Sequence, residues 1–165
     1  MSDTYKELIV KKDMGAKQIA LRAVCIVPTV FFVLLGLVGG LIPLLLAIAF
    51  GVLTYFVWMG TDVEYEYLYV DKELSIDKVM AKSRRKKVTT LEVARMEMLA
   101  PEKSYHLDEF RNRDTKKLDY SAGRDLPGMK LYVMYYDGGS RVQLNLTDDF
   151  ANAVKSIAPR KVFLD

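Results

Sequence analysis

From Ala23 to Gly60 the chain runs 38 consecutive positions without a charged side chain, interrupted in the middle by Gly39-Gly40. A single straight helix of that length would extend about 57 Å, nearly twice the roughly 30 Å of a bilayer's hydrocarbon core. Two helices, Ile19 to Val38 and Leu41 to Met59, each have the length of one crossing. A helix satisfies its own backbone in lipid, so the stretch predicts a transmembrane helical hairpin turning at the glycine pair. The chain then divides into a tail over 1–18, a hairpin over 19–60 and a third part over 61–165.

A hairpin returns the chain to the side it left. Lys6, Lys11, Lys12, Lys17 and Arg22 precede it, Lys82 to Lys87 follow it, and the connection between the helices is uncharged. Retention of Lys and Arg on the cytoplasmic side therefore predicts a two-span cell-membrane protein with both termini in the cytoplasm. Arg22 lies where it can snorkel to the interface, which Tyr55 and Trp58 mark from the second helix. Ala47-Ile48-Ala49 imitates a signal-peptide cleavage site, but the apolar region before it is too long and Phe50 to Met59 stays apolar after it. A soluble core around two such helices would need more mass than a 165-residue chain has left.

The chain is 51% hydrophobic, much of it in the hairpin, so the part after Thr61 is charged, aromatic and turn-rich. A net charge of +3 gives no support to a nucleic-acid role. The single Cys25 lies in the first apolar helix, which excludes an intrachain disulfide.

Beyond the hairpin the period changes to two. Val63, Tyr65, Tyr67 and Tyr69 alternate with Glu64 and Glu66, and Asp71-Lys72-Glu73 turns the chain into Leu74 to Met80. The basic run after Met80 reads as the next loop, followed by strands over Val88–Leu91 and Val93–Ala100 that end at Pro101. On propensity alone Val88 to Met98 also suits a helix. Glu102 to Asp114 reads as a polar loop with one helical turn, and Lys116 to Ser121 as a strand. Two strands, Leu131 to Tyr136 and Arg141 to Leu146, flank the hairpin signal Asp137-Gly138-Gly139-Ser140. Thr147 then caps a helix with Asp148 and Asp149 in its first turn, whose face of Phe150, Val154 and Ile157 is expected to pack on the strands before Pro159 stops it.

Seven candidate strands closed by one C-terminal helix follow the element order of the pleckstrin-homology-like (PH-like) fold. With Tyr65-Glu66-Tyr67-Leu68-Tyr69-Val70, the run Lys82-Ser83-Arg84-Arg85-Lys86 and the preceding hairpin, the chain resembles small bacterial membrane proteins in which two transmembrane helices precede a PH-like domain. The resemblance implies an α+β membrane protein with a seven-stranded antiparallel domain, acting as a membrane-tethered adaptor or sensor. A fold of this kind does not by itself name a ligand.

Little in the chain points to catalysis. His106 is the only histidine, so multi-histidine metal sites are excluded, and no P-loop, dinucleotide fingerprint or nucleophile motif occurs. No cofactor is called for and the expectation is a protein that is not an enzyme. The leading candidate site is the basic run Lys82, Arg84, Arg85, Lys86 and Lys87, five cations in six positions. Held against an anionic leaflet, such a run gains about 1 kcal/mol per cation. It can equally be a solvated turn neutralised by Glu64, Glu66 or Glu73. Tyr65, Tyr67, Tyr69, Tyr132, Tyr135 and Tyr136 offer either a recognition surface or core pairs. Gly36-x-x-x-Gly40 and Ala47-x-x-x-Gly51 favour close helix packing, which the hairpin itself can use. The sequon at Asn145 falls in a strand on the cytoplasmic side, where glycosylation does not reach it.

The expected partners are thus the bilayer together with anionic lipid head groups or a membrane protein. Two functions compete: a free adaptor that binds a head group, peptide or protein at the cytoplasmic face, and an accessory subunit of a transporter or export complex.

Overall fold

The computed structural model describes residues 5–165, so Ser2 and the rest of the first four tail positions lie outside the described residues. Among the described residues there are eight strands and four α-helices: β1 Lys6–Lys11, α1 Ala16–Gly39, α2 Leu41–Thr61, β2 Val63–Val70, β3 Glu73–Met80, β4 Arg84–Glu92, β5 Met96–Pro101, α3 Asp108–Arg111, β6 Lys116–Asp119, β7 Lys130–Tyr136, β8 Ser140–Leu146 and α4 Asp148–Ile157. Short 3-10 turns cover Val93–Arg95 and Tyr105–Leu107. They form two compact units, one made of Asp13–Val63 with Met80–Arg84 and the other of the remaining described residues.

In the helical unit α1 and α2 run antiparallel, separated by Gly40 alone, whose φ of 89° suits glycine. A Cβ on Gly36 would fall 2.5 Å from Leu44 Cδ2, so this glycine lets the helices close beside the turn. Further along, the Phe32 and Phe50 rings stack with centroids 5.5 Å apart, and the hydroxyls of Thr29 and Thr54 lie 3.0 Å apart. Both hydroxyls also reach a carbonyl one turn back, at Cys25 and Phe50, so neither is left unpartnered. The outward faces stay bare: only 6% of the most apolar window of each helix is buried. Both helices are long and apolar enough to cross a membrane, and such a continuous apolar surface requires an apolar surrounding.

The β unit holds two four-stranded sheets, ordered β1-β2-β3-β4 and β5-β7-β8-β6. The first strand comes from the segment expected to be a plain tail: β1 pairs antiparallel with β2, Leu8 opposite Tyr67 and Lys11 opposite Glu64. This strand raises the total from the expected seven to eight, and it makes the helical hairpin an insertion between two paired neighbours. The domain is also not wholly antiparallel, because β6 pairs parallel with β8.

Three chain reversals share one geometry. Asp71-Lys72, Ala81-Lys82 and Asp137-Gly138 all have positive φ at both positions, as a two-residue type I′ hairpin loop requires.

Tyr67, Tyr69, Leu74 and Ile76 of the first sheet are buried, as are Tyr132, Met134, Leu144 and Leu146 of the second. The Tyr67 hydroxyl donates to the Tyr120 carbonyl at 2.5 Å, and burial pushes its pKa well above the usual tyrosine value. Asn145 is fully buried, accepting from the Ala122 amide at 2.8 Å and donating to the Arg124 carbonyl at 2.7 Å, so it is a structural pin. Thr147 caps α4 by accepting from the Phe150 amide, and Phe150 and Val154 are buried. Ile157, expected on the same face, is instead 43% exposed, because the apolar face of α4 is completed by Ala151 and Ala153.

Candidate functional site

The basic run is not one loop. Lys82 occupies the β3–β4 turn, whereas Arg84, Arg85, Lys86 and Lys87 form the first half of β4, an edge strand of the first sheet. A charged edge is a common protection against unwanted strand pairing, and this explains how a cationic run can be a strand. All five side chains are exposed, and among the described residues only Arg85 is held by a carboxylate, that of Glu66 on β2. Of the three acids proposed as neutralisers, the ion pair formed is thus with Glu66.

The turn is fastened to the end of the second helix. The Ala81 amide donates to the Asp62 carbonyl at 2.8 Å, and the Asp62 amide donates to the Trp58 carbonyl at 3.1 Å. Lys82 has a φ of 54°, a left-handed conformation that costs a side-chain-bearing residue about 1–2 kcal/mol. A lysine stands where a hairpin loop of this type favours glycine.

At the same end of the hairpin, Arg22 Nε donates to Thr61 Oγ1 at 2.7 Å and the guanidinium sits 4.4 Å from the Trp58 ring centroid. Arg22 thus engages the second helix through a hydrogen bond and a cation–π contact. Tyr55 and the remainder of Trp58 point outward.

Arg85 belongs to a small acid–base cluster. Tyr5 donates to Glu7 at 2.7 Å, and this hydrogen bond, with one from Glu66, holds the Glu7 carboxyl below its ordinary range. Burial raises Glu66, the bond to Glu7 raises it further, and Arg85 opposes both. Glu66 is therefore the later of the two to ionise as pH rises, and its ionised carboxylate pairs with Arg85.

The family of Bacterial PH-like domain (DUF6106) matches residues 2–164. The chain belongs to this family. No curated protein and no solved structure matches it. The family match runs through both apolar helices as well as both sheets, so in this PH-like protein the hairpin between β1 and β2 is part of the family's own unit.

Elsewhere the PH-like domain gathers a second set of cations. Lys103, Arg111, Arg113, Lys117 and Arg141 line one cleft with Glu102, Asp114 and Tyr135. They come from the loop after β5, the segment around α3, and strands β6 and β8. Sequence reasoning missed them because no two stand together in a run. The only signal is the number of basic residues within the stretch read as a polar loop.

Five of the six tyrosines settle as core, and Tyr136 is half-buried. Tyr65, Tyr67, Tyr69, Tyr132 and Tyr135 are each at most 7% exposed, too enclosed to offer a recognition surface.

Proposed function

We propose that this protein is a membrane-anchored adaptor or sensor, without catalytic activity, in which the β3–β4 turn and the start of β4 engage anionic lipid head groups at the cytoplasmic face. The observation that carries this reading is the bond from Ala81 to Asp62, which fastens a basic turn to the residue that ends the second apolar helix. Lys82 and Arg84 belong to the same compact unit as the hairpin and its Arg22–Trp58 pair. Each cation brought near an anionic leaflet contributes about 1 kcal/mol, so the four that have no carboxylate partner among the described residues supply several. A cytoplasmic location follows from the distribution of Lys and Arg around the helices.

The test uses the full chain in nanodiscs. A fluorophore on Ser83→Cys, in a Cys25→Ser background, reports energy transfer to labelled anionic or labelled zwitterionic lipid. The expected result is a preference for anionic lipid at low salt that disappears at 1 M, where the screening length falls to about 3 Å. It should also disappear in the fourfold variant Lys82→Gln, Arg84→Gln, Lys86→Gln, Lys87→Gln. Equal transfer to both lipids at low salt contradicts the lipid contact. Stoichiometric co-purification of another membrane protein in that case supports the accessory-subunit reading.

A further inference from the structure

The cleft on the second sheet has the features of a binding site in its own right. Lys117, Arg141 and Tyr135 are in register across β6, β8 and β7, so their side chains form one row on one face. Two like charges directly opposite each other destabilise a sheet. The nearest compensation, Glu102, lies 3.6 Å from Arg141 and also accepts from Gln143 Nε2 at 3.1 Å.

The arginines across the cleft are held in place. Arg113 donates to Glu97 at 2.7 Å with its guanidinium 4.3 Å from the Phe110 ring centroid, and Arg111 lies 3.2 Å from Asp108. Phe110 stacks in turn on Tyr135, with centroids 4.8 Å apart, which ties this wall to the buried floor of the cleft. Lys103 and Lys117 are exposed and, among the described residues, make no ion pair. Five cations and two carboxylates thus line a cleft of about 790 Å³, and Glu97 and Asp108 hold two of the arginines from outside it. That volume is typical of small-molecule sites.

We propose that this cleft binds a small anion carrying more than one phosphate charge. Guanidinium forks match phosphate oxygens in pairs, and lysines add point charges that adjust to the ligand. Arg111, Arg113 and Arg141 already have carboxylate partners, so Lys103 and Lys117 are the charges left for a ligand, and one monovalent ion would answer only one of them. The ligand's phosphate can belong to a free solute or to a lipid head group. The cleft shares no residue with the basic run at 82–87, so this inference goes beyond the proposed lipid contact and does not depend on it.

The experiment is isothermal titration of the full chain in zwitterionic nanodiscs with inorganic pyrophosphate at low ionic strength. Its second arm measures binding of the same discs to vesicles containing phosphatidate. Saturable pyrophosphate binding, weakened at least tenfold by Lys103→Gln with Lys117→Gln and unchanged by the fourfold Gln variant of the basic run, supports the site with a free ligand. Absence of pyrophosphate binding, together with vesicle binding that needs Lys103 and Lys117, supports the site with a lipid head group. Binding in neither arm overturns the proposal, as does binding that ignores Lys103 and Lys117. Thermal melting of the double variant checks its fold, and Lys117→Gln alone carries the comparison if the double variant melts early.

Discussion

Lys12 Nζ lies 3.0 Å from the Asp119 carboxylate, joining the residue after β1 in the first sheet to the end of β6 in the second. Burial works to raise the Asp119 carboxyl, but hydrogen bonds from the Ser121 hydroxyl at 2.6 Å, the Ser121 amide at 3.0 Å and Lys12 outweigh it and hold it below its ordinary value. A carboxyl lowered on folding stabilises the protein above its unfolded pKa, and that contribution is lost as pH falls through the folded value. The urea midpoint of the wild type should therefore drop below about pH 3.9 more steeply than that of Asp119→Asn. Parallel curves for the two would show that the interaction adds nothing.

The position of β1 predicts which soluble forms fold. A fragment beginning at Asp62 lacks β1 and uncovers the β2 edge, including the positions opposite Tyr65, Tyr67 and Tyr69. Joining Lys12 to Val63 through Asn-Gly keeps β1 and replaces the helical insertion with a short turn. The joined chain should melt cooperatively, and the fragment should melt at a lower temperature or not cooperatively. Val10, 1% exposed, offers a finer test: Val10→Ala should cost about 2 kcal/mol in the joined chain.

The turn at Ala81-Lys82 should respond in two separable ways. Replacing the pair with Asn-Gly relieves the left-handed strain and should stabilise the protein by about 1–2 kcal/mol. It also removes one cation. Lys82→Gln removes the charge and leaves the backbone strain in place. Melting of these two variants should differ in the stated direction, whereas their effect on lipid contact should be alike.

In α4, Phe150 is 2% exposed and its ring centroid lies 6.0 Å from that of Tyr69, while Ile157 is 43% exposed. Phe150→Ala should cost about 3–5 kcal/mol. Ile157→Ala should stay within about 0.5 kcal/mol of wild type. Equal effects in urea unfolding would contradict the packing described.

Features encoded locally were legible in the sequence: the hairpin break at Gly39-Gly40, the Asp137-Gly138 turn and the Thr147 cap each depend on a few adjacent residues. β1 was not, because three apolar residues between charged ends look like a tail until β2 returns beside them after the whole hairpin. The strand at Arg84–Lys87 was hidden for a different reason. An exposed edge needs no apolar alternation, so its charges imitate a loop. The parallel β6–β8 pairing and the cleft around Arg141 depend on contacts between distant segments, and no local pattern announces either.

The central claim is that a membrane hairpin returns the basic turn to the side of the C-terminus. Single cysteines at Ser83, Asp165 and the helix connection, in a Cys25→Ser background, test it with a membrane-impermeant thiol reagent on intact and opened cells. Leu41, 72% exposed, serves for the connection better than Gly40, whose φ of 89° disfavours cysteine. The account predicts labelling of Leu41→Cys in intact cells, and of Ser83→Cys and Asp165→Cys only after opening. Labelling of Ser83→Cys or Asp165→Cys in intact cells, or of Leu41→Cys only after opening, would contradict it.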